Sequence, residues 1–144
     1  MTLFVGWSLL LLLAYASHAS AQTGQVVVDI PTRPGVTQRM VVLAPPAPKA
    51  AVILFAGGHG GLRIFPNGSF RWGAGNFLVR TRQQFAQQGL FVVVVDASSD
   101  RLSSFYVSGF RQRPEHAEDI SAVLAWIRRQ ADVPVWLVGT SRGT

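Results

Sequence analysis

The sequence predicts an α/β fold in which a mostly parallel sheet carries helices on both faces. Three runs of the chain are almost wholly apolar, and two helical patterns separate them. These runs are residues 50–56, 90–95 and 133–138. Strands covered on both faces have this composition, and their alternation with helices implies right-handed crossovers between parallel neighbours. The length of 144 residues and the hydrophobic content of 49 % fit one domain with one large core.

Residues 1–21 are predicted to be a signal peptide. Leu3–Ala16 is almost wholly apolar but short for a bilayer of roughly 30 Å. Ala19-Ser20-Ala21 then supplies the small residues that a signal peptidase recognises, which predicts cleavage before Gln22. The folded part is therefore expected to be residues 22–144, in a periplasmic or secreted protein. Because no Lys or Arg precedes the apolar run, an uncleaved membrane anchor is the alternative.

Two strands come next, and the short loop between them predicts an antiparallel hairpin at the start of the sheet. The first covers Gln25–Ile30 and ends at Pro31, before a turn at 33–35. The second covers Thr37–Leu43. The connector at 44–48 contains three prolines, so it cannot join the interior of a sheet.

The first alternating unit begins with a buried strand at Ala50–Ala56. This strand runs into a glycine-rich loop, Gly57-Gly58-His59-Gly60-Gly61. A helix is predicted from the cap residue Asn76 to about Gln88, with Gly89 as its stop.

The second alternating unit begins with a buried strand at Leu90–Val95, which has Asp96 at its C-terminal end, and continues with a loop at 97–113. A helix with Pro114 in its first turn follows, before a fifth strand at Val133–Val138. The helix dipole favours the negative charges near its start, which are Glu115, Glu118 and Asp119. Its apolar stripe toward the sheet consists of Ile120, Val123, Leu124 and Ile127.

The pentapeptide Gly139-Thr140-Ser141-Arg142-Gly143 directly follows the fifth strand and fits the pattern G-x-S-x-G. A sharp strand-to-helix turn at this place would expose the hydroxyl of Ser141 above the sheet, where a neighbouring base can activate it as a nucleophile. The glycines Gly139 and Gly143 would avoid collisions with the adjoining strand and helix. The alternative is a glycine-rich turn that merely ends a strand.

The glycine-rich loop is the predicted partner of this turn. Acyl transfer requires backbone N–H groups directed at the developing oxyanion, and glycine lets a backbone approach that atom closely. One donor would be the amide of Arg142, and the other that of Gly58 or His59. A phosphate-binding loop is disfavoured because no G-K-[ST] follows the glycines.

These features together resemble the α/β-hydrolase superfamily, near its dienelactone-hydrolase-like and esterase-like members. The residues that carry the resemblance are 55–61, Asp96 and 139–143, and it covers residues 25–144. It implies that Ser141 follows the fifth strand and that the triad continues with an acid and then a histidine. Both would lie beyond Thr144, so the chain is expected to be the N-terminal part of one α/β-hydrolase domain, truncated after the fifth strand. Such a fragment is expected to expose a strand edge and to lack esterase activity.

The remaining ionisable residues are predicted to have other roles. His116 is expected at the surface, far from Ser141, and Asp96 is expected to orient a loop. No set of side chains has the spacing of metal ligands, so no metal or cofactor is expected. The net charge of +6 suggests polyanion binding, but the arginines are scattered, which favours a basic exported surface and no nucleic acid. Asn67-Gly68-Ser69 is interpreted as a turn.

The function predicted for the complete protein is therefore that of a serine hydrolase acting on a small-molecule ester or related acyl substrate. A non-catalytic α/β-hydrolase-like binding protein of the cell envelope is the alternative, because a shared fold does not determine chemistry. The membrane is expected to matter only during export, through the signal peptide.

Overall fold

The computed structural model describes residues 24–102 and 109–144. The predicted signal peptide and its alternative, a membrane anchor, lie outside these residues. Across the two described ranges, no helix is both long enough and apolar enough to cross a membrane.

Five strands and two α-helices make up the described chain, together with three single 3-10 turns at 99–101, 110–112 and 141–143. The strands are β1 (Gln25–Arg33), β2 (Val36–Leu43), β3 (Ala50–Phe55), β4 (Leu90–Ser98) and β5 (Val135–Gly139). The helices are α1 (Phe77–Gln87) and α2 (Pro114–Gln130).

The sheet has the order β1-β2-β4-β3-β5 and is mixed, so the expectation of a mostly parallel sheet is wrong. The pairs β1–β2 and β2–β4 are antiparallel, and the pairs β3–β4 and β3–β5 are parallel. The connector at 44–49 joins β2 to β3, which lie on either side of β4 and run in opposite directions. Six residues are too few for the crossover that two parallel strands need, so the chain reverses its direction here. The predicted hairpin of β1 and β2 is confirmed.

Two strands extend beyond their predicted ends. β1 continues past Pro31 to Arg33, with a register shift between these residues. It is an edge strand, where the missing N–H of proline is tolerated. β4 continues past Val95 to Ser98, which pairs with Gln38 of β2.

Helices cover both faces of the sheet, as predicted. On one face, Leu78, Val79 and Ala86 of α1 pack into a buried cluster with residues of β2, β3 and β4. On the other face, α2 contributes to a second buried cluster. Its contacting side chains are the predicted stripe Ile120, Val123 and Ile127, with Leu124 at the margin. Successive side chains of a strand point to opposite faces of the sheet, so the same strands contribute residues to both clusters. The sheet is therefore buried on both faces.

The ends of α1 were predicted correctly, although the cap differs in detail. Asn76 occupies the N-cap position but its side chain makes no capping hydrogen bond. Gly89 has a φ of 78°, a left-handed conformation that ends the helix at little cost for glycine.

Asp119, one of the acidic residues near the start of α2, is buried and forms an ion pair with Arg33. Its carboxylate accepts hydrogen bonds from the Arg33 guanidinium at 2.8 and 2.9 Å and from the Thr32 hydroxyl at 2.6 Å. Since a buried charge needs such partners, this contact fixes α2 against the edge strand β1.

Candidate active site

The two predicted site segments meet at one edge of the sheet. β3 and β5 are parallel neighbours, and Phe55 at the end of β3 pairs with Gly139 at the end of β5. The loop after β3 therefore begins beside the turn after β5. In the sequence β4 lies between these two strands, whereas in the sheet β3 and β5 are neighbours. The order of the strands in the sheet therefore brings the two segments together.

Ser141 stands in a strained turn at this edge. Its φ is 55°, a left-handed conformation that few non-glycine residues adopt, and the residue is exposed. Such strain persists only where the surrounding structure imposes it, and it is concentrated at functional sites.

Steric contacts explain why glycine occupies the two positions that flank the turn, Gly139 and Gly143. A Cβ on Gly139 would overlap the carbonyl group of Gly143, and a Cβ on Gly143 would overlap the carbonyl oxygen of Phe55. Both obstacles are backbone atoms, which cannot move as a side chain could. The turn therefore needs glycine at both positions.

Gly57 brings the glycine-rich loop into contact with the turn. A Cβ at this residue would lie 2.7 Å from the carbonyl oxygen of Thr140 and 3.4 Å from Cβ of Ser141. The glycine pattern of the sequence predicts the loop and its donors Gly58 and His59, but it does not distinguish Gly57 as the residue nearest to the turn. Gly58 follows with a φ of 68°, and the two predicted donors are thus one and two residues beyond the contact.

Asp96 anchors the far part of the same loop, in agreement with its expected role. Its buried carboxylate accepts hydrogen bonds from the backbone N–H groups of Leu62 and Ile64, each at 2.7 Å, and of Arg63 at 3.1 Å. The amide of Ala97 donates a fourth bond at 2.7 Å. A carboxylate engaged in this way is a structural anchor, and it holds Arg63 in a left-handed conformation with a φ of 51°.

Arg111 connects the loop and the turn. One guanidinium nitrogen donates to the carbonyl oxygen of Ala56 at 2.9 Å and to that of Arg142 at 2.6 Å. The guanidinium also lies over the ring of Phe55, 5.9 Å from its centre, and burial lowers the pKa of Arg111. Arg111 could not be predicted as a site residue from the sequence, because it lies in a loop that has no motif.

His116 lies near the turn, so its predicted position far from Ser141 is wrong. Its ring packs edge-on against Phe55 and Phe110, and it lines a cavity of about 340 Å³ together with Gly139 and Gly143. Because α2 begins at the C-terminal edge of the parallel strands, its first turn lies at the site. Burial, and secondarily the positive charge of Arg111, lower the pKa of His116 against the opposing effect of Asp119.

The other sequence predictions concern His59, metal binding and a turn. The His59 ring contacts Trp72 edge-on, with 6.3 Å between ring centres. Within residues 24–102 and 109–144, no group of three or more potential ligands could hold a metal ion. The predicted turn at Asn67 is confirmed, since its side-chain oxygen accepts hydrogen bonds from the amide and hydroxyl of Ser69.

Comparison with known proteins identifies a similar fold. No protein-family model and no curated protein sequence matches the chain. Among solved structures, brefeldin A esterase, a bacterial homologue of human hormone-sensitive lipase, matches 97 % of the chain with a TM-score of 0.54 and 15 % sequence identity. The fold is similar to that of an α/β-hydrolase. At this identity the likeness shows the fold alone, and the chain spans 36 % of the esterase chain.

Proposed function

We propose that the complete protein is a serine hydrolase that cleaves an ester or related acyl bond through Ser141. One observation carries the proposal. An exposed serine directly after β5 has a φ of 55°, and the backbone of a glycine-rich loop passes so close that a Cβ on Gly57 would lie 3.4 Å from Cβ of Ser141. This combination matches the strained turn that holds a nucleophile above an α/β sheet.

The reaction follows from this geometry. A base takes the proton from the Ser141 hydroxyl as its oxygen bonds to the acyl carbonyl carbon. The carbonyl oxygen gains negative charge, which the backbone N–H of Arg142 and that of Gly58 or His59 would stabilise. The bond to the leaving alcohol then breaks as the alcohol receives the proton, and water hydrolyses the acyl-enzyme by the same steps.

Two neighbouring residues support the oxyanion role of the loop. Arg111 links the carbonyl groups of Ala56 and Arg142, one from each segment that would supply a donor. Asp96 fixes the loop at Leu62 and Ile64. Catalytic N–H groups act best when they are held in place before the reaction, because no reorganisation then opposes the charge.

Covalent labelling tests the proposal directly. The complete protein is treated with a fluorophosphonate probe, and the modified peptide is identified by mass spectrometry. We expect labelling at Ser141, which Ser141→Ala abolishes. Ser121→Ala is the matched control, because this serine is also exposed but lies on α2, and it should label normally. An unlabelled, folded complete protein would contradict the enzyme proposal and favour the binding-protein alternative.

A further inference from the structure

Three exposed aromatic side chains and three exposed arginines lie close together in the chain between β3 and the first turns of α1. We call this set the arginine–aromatic surface, and its members are Arg63, Phe65, Arg71, Trp72, Phe77 and Arg80. The three aromatic residues are 45, 40 and 53 % exposed, respectively. Large apolar side chains scattered singly over a surface need no explanation, whereas a group of them indicates an interaction site.

The backbone brings the members of this surface together. The amide of Arg71 donates to the carbonyl oxygen of Arg63 at 3.2 Å, so the two arginines are neighbours on a short antiparallel ribbon. Trp72 and Phe77 flank a tight turn at 73–76, which a backbone hydrogen bond of 2.9 Å closes. The six residues therefore lie on three consecutive segments, which are the ribbon, the turn and the start of α1.

The arginines and aromatic rings of this surface are paired with each other. The Arg71 guanidinium lies 5.6 Å from the ring centre of Trp72, and that of Arg80 lies 5.5 Å from the ring centre of Phe77. Among the described residues, no carboxylate forms an ion pair with either arginine or with Arg63. The described part of the chain thus leaves the charges of these three arginines without an ion-pair partner.

The surrounding sequence strengthens this charge. No acidic residue occurs between Asp29 and Asp96. Both of these carboxylates border a cavity of about 280 Å³, which Arg39, Arg63 and Arg71 also line. Asp29 is engaged by the guanidinium of Arg39 at 2.6 and 2.8 Å, and Asp96 accepts four backbone N–H groups. The arginines of the ribbon therefore remain available to an external anion.

We propose that the arginine–aromatic surface docks on a bilayer that contains anionic phospholipid. Aromatic side chains favour the membrane–water interface, and basic residues are attracted to anionic head groups there. The neighbouring cavity is compact and could receive one phosphate head group. A nucleic acid strand would instead need an extended basic groove that follows its backbone.

Docking in this way orients the candidate active site. Trp72 contacts His59 of the glycine-rich loop, with 6.3 Å between ring centres. The surface and the loop are thus adjacent, and a docked protein would hold the loop close to the bilayer. If the proposed function holds, the acyl substrate of the docked protein would come from the lipid phase. This consequence rests on the proposed function, whereas the docking itself does not.

Vesicle sedimentation tests the docking with the complete protein. The vesicles contain phosphatidylcholine alone, or with about 30 % phosphatidylserine, in about 0.1 M salt. We expect the protein to sediment with the anionic vesicles at least about tenfold more strongly. The double variant R63Q/R71Q should bind these vesicles about 25-fold more weakly, at roughly fivefold for each arginine.

The matched control is R128Q/R129Q, which removes the same charge from exposed positions at the far end of α2 and should lose less than about threefold. The double variant F65S/F77S tests the aromatic residues and should weaken vesicle binding. V26S is its control, because Val26 is an apolar residue of similar exposure on β1.

Three results would overturn the docking proposal: equal binding to neutral and anionic vesicles, equal losses in the two arginine pairs, or tight binding to a single-stranded oligonucleotide without vesicle binding. Ser141→Ala should bind vesicles as the unmodified protein does. Failure of docking therefore shows in sedimentation, and failure of the proposed function shows in covalent labelling.

Discussion

Replacing the loop anchor, Asp96→Asn, should destabilise the protein strongly. One carboxylate oxygen accepts from Leu62, Arg63 and Ala97, and the other accepts from Ile64. An asparagine oriented to keep the first three bonds would turn its NH₂ group toward the N–H of Ile64, so two donors would face each other.

The magnitude follows from these four bonds. A hydrogen bond to a charged group contributes about 1.5–3 kcal/mol, and a neutral one about 0.5–1.5 kcal/mol. Losing the bond to Ile64 and weakening three others should therefore lower the free energy of unfolding by about 3–5 kcal/mol. This is a large part of the roughly 5–15 kcal/mol that stabilises a typical domain.

Urea unfolding of the complete protein, followed by circular dichroism, measures this loss. Asp132→Asn is the matched control, because Asp132 is exposed and should change stability by less than about 0.5 kcal/mol. Under the proposed function, hydrolysis of p-nitrophenyl acetate should also fall for Asp96→Asn. A loss of stability no larger than that of the control would refute the view that Asp96 anchors the loop.

Three further predictions concern the turn, its neighbouring histidine and the N-terminus. Gly143→Ala should destabilise the protein by about 2 kcal/mol or more in urea unfolding, because the new Cβ would collide with the Phe55 carbonyl, whereas Gly75→Ala, which has open space, should not. The lowered pKa of His116 means that the unfolded chain takes up a proton first as the pH falls. Its contribution to stability should therefore be complete above about pH 6.5 and lost below it, and His116→Gln should flatten this part of the stability profile. Sequencing of the exported protein should find Gln22 first; an intact apolar run would show an anchor instead.

Local patterns were sufficient to predict most of the elements and the candidate nucleophile. Uninterrupted apolar runs indicate strands buried on both faces, and β3 and β4 begin where those runs predicted them. The stripe of α2 and the stop at Gly89 depend on spacing and backbone freedom, which are properties of the chain itself. The turn around Ser141 could also be predicted, because its glycines directly follow a strand.

Only the tertiary structure decided how these elements combine. The antiparallel pairing of β2 with β4 joins distant segments of the chain, and no local pattern encodes it. His116 and Arg111 lie at the site because α2 packs against the sheet with its first turn at the edge that carries Ser141. Their sequence neighbours contain no motif for this role, since contacts between distant segments are determined by packing and not by local spacing.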